Sequence, residues 1–79
     1  MLMNRRSLKQ RLLRTRIALK QTLTRILDIN RKRKALNNLV EYEEHSAKLE
    51  DELRVLNQLA SNQASLVRKY EHDLALIEA

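Results

Sequence analysis

In 79 residues this chain has no glycine, no proline and no cysteine. Glycine is the usual source of a positive φ and proline the usual loss of a backbone donor. Nothing here therefore forces the backbone out of the right-handed helix. Without cysteine there is also no disulfide to staple a small core. The chain is expected to be helical almost throughout, with helices that bury a seam against each other or against a partner.

From Ala35 to Ile77 that seam is written in seven-residue steps. With Leu39, Ser46, Leu53, Ala60, Val67 and Leu74 at heptad position a, the d positions are Ala35, Tyr42, Leu49, Leu56, Gln63, Tyr70 and Ile77. Such spacing keeps one stripe turned towards a neighbouring helix, as in coiled coils and bundles. Ser46 and Gln63 are the polar interruptions, and Gln63 is expected to form a polar layer that sets the register. Leu59 and Leu66, at g, widen the stripe and suit a multi-helix bundle better than a two-stranded zipper.

The first third keeps a different phase. Leu8, Leu12, Leu19, Leu23 and Ile26 fall on one helical stripe, and Leu13, Ile17 and Leu27 on a second beside it. Two strips on one helix imply two helical neighbours. The phases collide between Asp28 and Lys34, where Arg31, Lys32, Arg33 and Lys34 are consecutive cations and Asn30 tolerates a left-handed helix end. The expected fold is all-α: one helical domain with a helix over 4–28, a basic turn over 29–35 and a long heptad helix over 36–77. This is an antiparallel helical hairpin or coiled coil that oligomerises into a helical bundle. A turn at Lys32–Arg33 pairs Ile26 with Leu39, Leu23 with Tyr42, Leu12 with Leu53 and Leu8 with Leu56. One continuous helix is the competing arrangement, and a third helix starting near Ser61 a lesser one.

That turn leaves the end of the chain unpartnered. Leu66, Val67, Tyr70, Leu74 and Ile77 become an apolar overhang, expected to be a protein interface covered by another copy (a dimer or higher) or by another helical protein. Size argues the same way, because one core in a chain below ~80 residues rarely supplies more than ~3–5 kcal/mol.

Charge is the second strong signal. Residues 1–34 hold twelve Lys or Arg and one acid, a balance of +11, and residues 35–79 hold four Lys or Arg and nine acids, a balance of −5. The structural explanation is pairing within the hairpin: Arg14 with Asp51, Lys20 near Glu44 and Arg25 near Glu41. The functional one is a polyanion. Arg11, Arg14, Arg25 and Lys32 share a face away from the main apolar stripe and are candidate contacts to the phosphates of duplex RNA or DNA. The two aromatic residues, Tyr42 and Tyr70, occupy core d positions, so stacking on single strands is not expected. The acid-free, amphipathic residues 1–27 also have the look of a mitochondrial presequence, and Arg31–Lys34 that of a short nuclear import signal, a type of run more common as a solvated turn.

Catalytic chemistry finds little to stand on. His45 and His72 are far apart in the chain, and the acid-rich run Glu41–His45 lacks the Glu three residues before His that a helical di-metal site uses, because that place is Tyr42. Ser7, Ser46, Ser61 and Ser65 are not expected to have a base placed to activate them, and without glycine there is no phosphate-binding loop. No catalytic residue, metal, cofactor or small-molecule substrate is expected. No apolar run reaches the ~18 residues of a transmembrane helix, and an intracellular, cytoplasmic or nuclear, location is expected. The sequence thus reads as a non-enzymatic helical protein–protein interaction module: a coiled-coil assembly, adaptor or small chaperone subunit. The alternative is a dimeric helical nucleic-acid-binding protein that uses its basic first helix.

Overall fold

The computed structural model describes residues 4–36 and 42–79 and consists of two helices, α1 (Arg5–Leu36) and α2 (Tyr42–Glu78), packed side by side in opposite directions. At 1.5 Å per residue, helices of 32 and 37 residues span about 48 and 55 Å. The molecule is accordingly a rod, 58 × 16 × 15 Å. A single continuous helix is excluded by the packing, and a break near Ser61 by the continuity of α2.

Asn4 starts α1. Its side-chain Oδ1 accepts a hydrogen bond from the Ser7 N–H at 2.8 Å and its carbonyl one from the Leu8 N–H at 3.0 Å, which satisfies two of the donors that a helix start leaves open. The far end differs from the sequence expectation. Arg31–Lys34 do not form a turn; they are the closing turns of α1. Cations there face the partial negative charge of the unpaired carbonyls, so the basic run is at home at a helix C-terminus. Asp28 adds an i, i+3 contact to Arg31 at 3.9 Å. Helix α1 runs on to Leu36 and α2 begins at Tyr42; Leu39 and Glu41 of the expected pairings lie outside the described residues, as do the side chains of Tyr42, Glu43, Glu44 and His45.

Moving the turn shifts the whole register. Arg5 meets Glu78, Arg16 meets Glu71, Thr22 meets Gln63 and Arg33 meets Glu50. Facing residue numbers therefore add to about 85 instead of about 65. The expected pairs Leu12 with Leu53 and Leu8 with Leu56 are corrected by this: Leu53 and Leu56 pack with Ile29, flanked by Ile26 and Leu49.

The buried side of α1 is also a seven-residue pattern, one the apolar residues alone conceal. Leu8, Leu12, Thr22 and Ile29 are buried, and Thr15, Leu19, Ile26 and Arg33 are half-buried. Steps of four and three alternate throughout that series. Leu23, placed on the main stripe by its 100° spacing, is 47% exposed, whereas Ile29, assigned to the turn, is 5% exposed. On α2 the a and d assignments hold over the described side chains except at the last d position: Ser46, Leu53 and Leu56 are buried, Leu49, Ala60, Gln63, Val67, Tyr70 and Leu74 half-buried, and Ile77 is 44% exposed.

Candidate interaction surfaces

The seam has a polar layer near its middle. The Thr22 hydroxyl, 5% exposed as a residue, lies 2.8 Å from Gln63 Oε1 and 3.0 Å from the Ala18 carbonyl oxygen. One hydroxyl proton cannot serve two acceptors. Rotating the Gln63 amide by 180° resolves this: Nε2 donates to Thr22, and Thr22 donates to Ala18. Each buried polar atom of the layer is then satisfied, and among the described residues no buried side-chain nitrogen or oxygen lacks a partner. Gln63 is thus the polar layer expected from the sequence, while its partner Thr22 was hidden by lying between apolar residues that point elsewhere.

Ion pairs border one side of the seam. Arg5 and Lys9 reach Glu78 at 3.0 and 3.8 Å, Arg16 reaches Glu71 at 3.1 Å, and Arg33 reaches Glu50 at 3.4 Å. All are solvent-accessible, so each contributes about 0–1 kcal/mol. Their placement nonetheless favours antiparallel pairing. The first turn of α1 has no acid and the last turn of α2 no base, each unfavourable towards its own helix dipole. Side by side, Arg5 and Glu78 neutralise one another. The expected partners were different: Asp51 is engaged by Arg54 of its own helix at 2.7 Å, not by Arg14.

The same register corrects the overhang. Because Glu71 and Glu78 are tied to α1, the end of α2 is alongside the start of α1 and does not project beyond it. Val67, Tyr70 and Leu74 are half-buried within that span, while Leu66 and Ile77 remain 41% and 44% exposed.

Exposed apolar side chains form two other rows. On α1, Leu13, Ile17 and Leu27 are each at least half exposed, which is the second strip anticipated from the sequence. On α2, Val55, Leu59, Leu66 and Leu76 are exposed. These follow the steps of one helical flank, 55, 59, (62), 66, (69, 73), 76, with Asn62, Lys69 and Asp73 between. Sequence reading found Leu59 and Leu66 but missed Val55 and Leu76, which stand further from the seam.

The candidate phosphate contacts Arg11, Arg14, Arg25 and Lys32 are all exposed. None of them takes part in an ion pair among the described residues. They lie along one flank of α1, on the side away from Lys9 and Arg16, and so on the side of the α2 row. Arg25, Asp51, Glu52, Val55, Leu56 and Leu59 in fact line one shallow surface depression. The rows Arg11–Lys32 and Val55–Leu76 run next to each other for about 30 Å at 1.5 Å per residue.

Among the described residues no group of three or more His, Asp or Glu could hold a metal ion, and His72 is exposed. No described helix is long and apolar enough to cross a membrane. No protein-family model, curated protein or solved structure matches the chain.

Proposed function

We propose that this protein is a non-enzymatic helical protein–protein interaction module, an assembly or adaptor subunit whose hairpin adds helices to a larger coiled-coil bundle. The observation that carries the reading is the pair of exposed apolar rows, Leu13, Ile17 and Leu27 on one helix and Val55, Leu59, Leu66 and Leu76 on the other. Accessible area supports it. A compact monomer of 9.4 kDa exposes roughly 5000 Å² by the usual size scaling, and this chain exposes 6590 Å². Surface of that kind on a soluble chain is commonly covered by a partner helix. Sedimentation equilibrium tests the proposal: the chain should exceed monomer mass alone or bind helical peptides. Replacing Leu13, Ile17 and Leu27 with Ser should weaken self-association without loss of helicity. A chain that stays monomeric to its solubility limit and binds no helical peptide refutes the reading.

The second reading, duplex nucleic-acid binding through α1, is favoured by the exposed cations Arg11, Arg14, Arg25 and Lys32. Binding carried by phosphates falls steeply with salt, by about 0.9 in the log–log slope per phosphate neutralised on DNA. A slope of several units on duplex RNA or DNA supports this reading, and a slope near zero removes it.

A further inference from the structure

Helix α2 carries a second seven-residue seam on the flank of the one that faces α1. Steps of four and three run from Lys48 through Val55, Leu59 and Leu66 to Asp73, the spacing of core positions in a coiled coil. Two adjoining surface depressions on this flank have the i, i+3, i+4, i+7 outline of the holes that receive side chains in such packing. Glu52, Val55, Leu56 and Leu59 line one, with Arg25 and Asp51 beside them. Val55, Gln58, Leu59 and Asn62 line the next, with Arg54. We propose that this seam is a homodimer interface, in which α2 packs antiparallel on α2 of a second copy about a two-fold axis between Leu59 and Asn62.

The order of side chains along the seam selects that occupant. An isologous interface needs a surface complementary to itself, each facing pair occurring twice. In the proposed register facing residue numbers add to 121. Lys48 then meets Asp73 of the second copy, Glu52 meets Lys69, Val55 meets Leu66 and Leu59 meets Asn62. Leu66 of the second copy enters the first depression and its Asn62 the second. Asn62 lies beside the axis, where a polar core residue fixes register. The seam runs about 38 Å from Lys48 to Asp73, and Leu76 falls opposite position 45, whose side chain is outside the described residues.

Other registers lose this match. Sliding the second copy by one heptad sets Leu66 against Lys48 in one direction, and Val55 against Asp73 in the other. A parallel pair sets Lys69 against Lys69 and Glu52 against Glu52. The seam's own charges are two of each sign, so a uniformly acidic or basic partner would oppose half of them. Arg11, Arg14 and Arg25 of α1 stand beside the seam in both copies, but they are exposed, and repulsion between them is screened over about 8 Å at physiological salt.

The proposal rests on the interaction-module reading and gives the α2 row to a second copy, leaving Leu13, Ile17 and Leu27 for a further partner. Sedimentation equilibrium of the full chain over a range of concentrations is the measurement, and the parent should reach dimer mass. Glu52→Lys and Lys69→Glu each set like charges against one another twice in the dimer, and each should weaken it tenfold or more. Mixed in equal amounts, the two variants form a heterodimer in which both of these pairs are again opposite in sign, so the mixture should recover dimer mass. Glu52→Lys with Lys69→Glu in one chain should associate like the parent. Both positions are exposed, and circular dichroism should show parental helicity throughout.

Single variants that dimerise like the parent, a mixture or double variant that stays monomeric, or a parent monomeric at every concentration overturns the proposal. Self-association lost on replacing Leu13, Ile17 and Leu27 with Ser, but untouched by the charge exchanges, leaves the interaction-module reading standing on the other row. A chain that is monomeric and binds no helical peptide removes both.

Discussion

Thr22 and Gln63 make the two halves of a polar layer unequal, and this inequality is measurable. Thr22→Val keeps the shape of the side chain and removes its hydroxyl. The Gln63 amide then loses its cross-helix partner, 2.8 Å away, at a half-buried position. An unsatisfied buried polar group costs about 1–3 kcal/mol. Because Gln63 reaches some water, the lower end of about 1 kcal/mol is expected. Gln63→Leu behaves differently. Thr22 still donates to the Ala18 carbonyl at 3.0 Å, so no donor is stranded, and the added apolar contact offsets the lost hydrogen bond. Its cost should be near zero. With both replaced, the layer becomes apolar and the chain should gain about 1 kcal/mol over the parent, or roughly 4–8 °C in Tm for a domain of this size. Urea unfolding followed by circular dichroism gives the three differences. The coupling should exceed the ~0.3–0.5 kcal/mol within which independent sites add. Strictly additive values, or a Gln63→Leu cost as large as that of Thr22→Val, would refute the hydrogen-bonding scheme proposed for the layer.

Leu53→Ala opens a cavity in the cluster with Ile29 and Leu56 and should cost about 2–5 kcal/mol, close to the whole stability of a two-helix core, so far-ultraviolet circular dichroism should show the chain largely unfolded. The register is checked by electron-spin distances between labels at exposed positions. Labels at Gln10 and Ala75 should lie within about 20 Å, and labels at Gln10 and Arg54 roughly 30 Å apart, since the latter are offset by about twenty-one residues along the rod. A short Gln10–Arg54 distance would restore the turn at Lys32–Arg33.

The helical hairpin and the α2 seam were legible because the described apolar side chains at the a and d positions of α2, Ile77 apart, are at least half-buried. Leu49, Leu53, Leu56, Val67 and Leu74 lie on heptad positions, and the missing glycine and proline leave no competing backbone. The α1 seam was not legible. Three of its positions are the polar residues Thr15, Thr22 and Arg33, whose hydrogen bonds the sequence does not display. Thr15 donates to the Arg11 carbonyl, Thr22 joins Gln63, and Arg33 extends to Glu50. With those positions polar and Leu13, Ile17, Leu23 and Leu27 turned outward, counting apolar residues rotates the stripe and ends it early.

That rotation explains the misplaced turn, and through it the overhang. A stripe drawn from apolar residues alone leaves out Ile29 and Arg33, ends α1 near Asp28 and leaves the basic run no place but a loop. Restoring Ile29 and Arg33 to the seam extends α1 to Leu36 and slides α2 along it. Leu74 then comes alongside the start of α1, where Arg5 and Lys9 meet Glu78. The apolar surface left over is consequently lateral and not terminal. A hairpin exposed along its sides can add helices around its axis, whereas one exposed at its end could only extend lengthwise. On the proposed interaction-module reading, partners would therefore lie beside the rod, against the exposed rows of Leu13, Ile17 and Leu27 or of Val55, Leu59, Leu66 and Leu76.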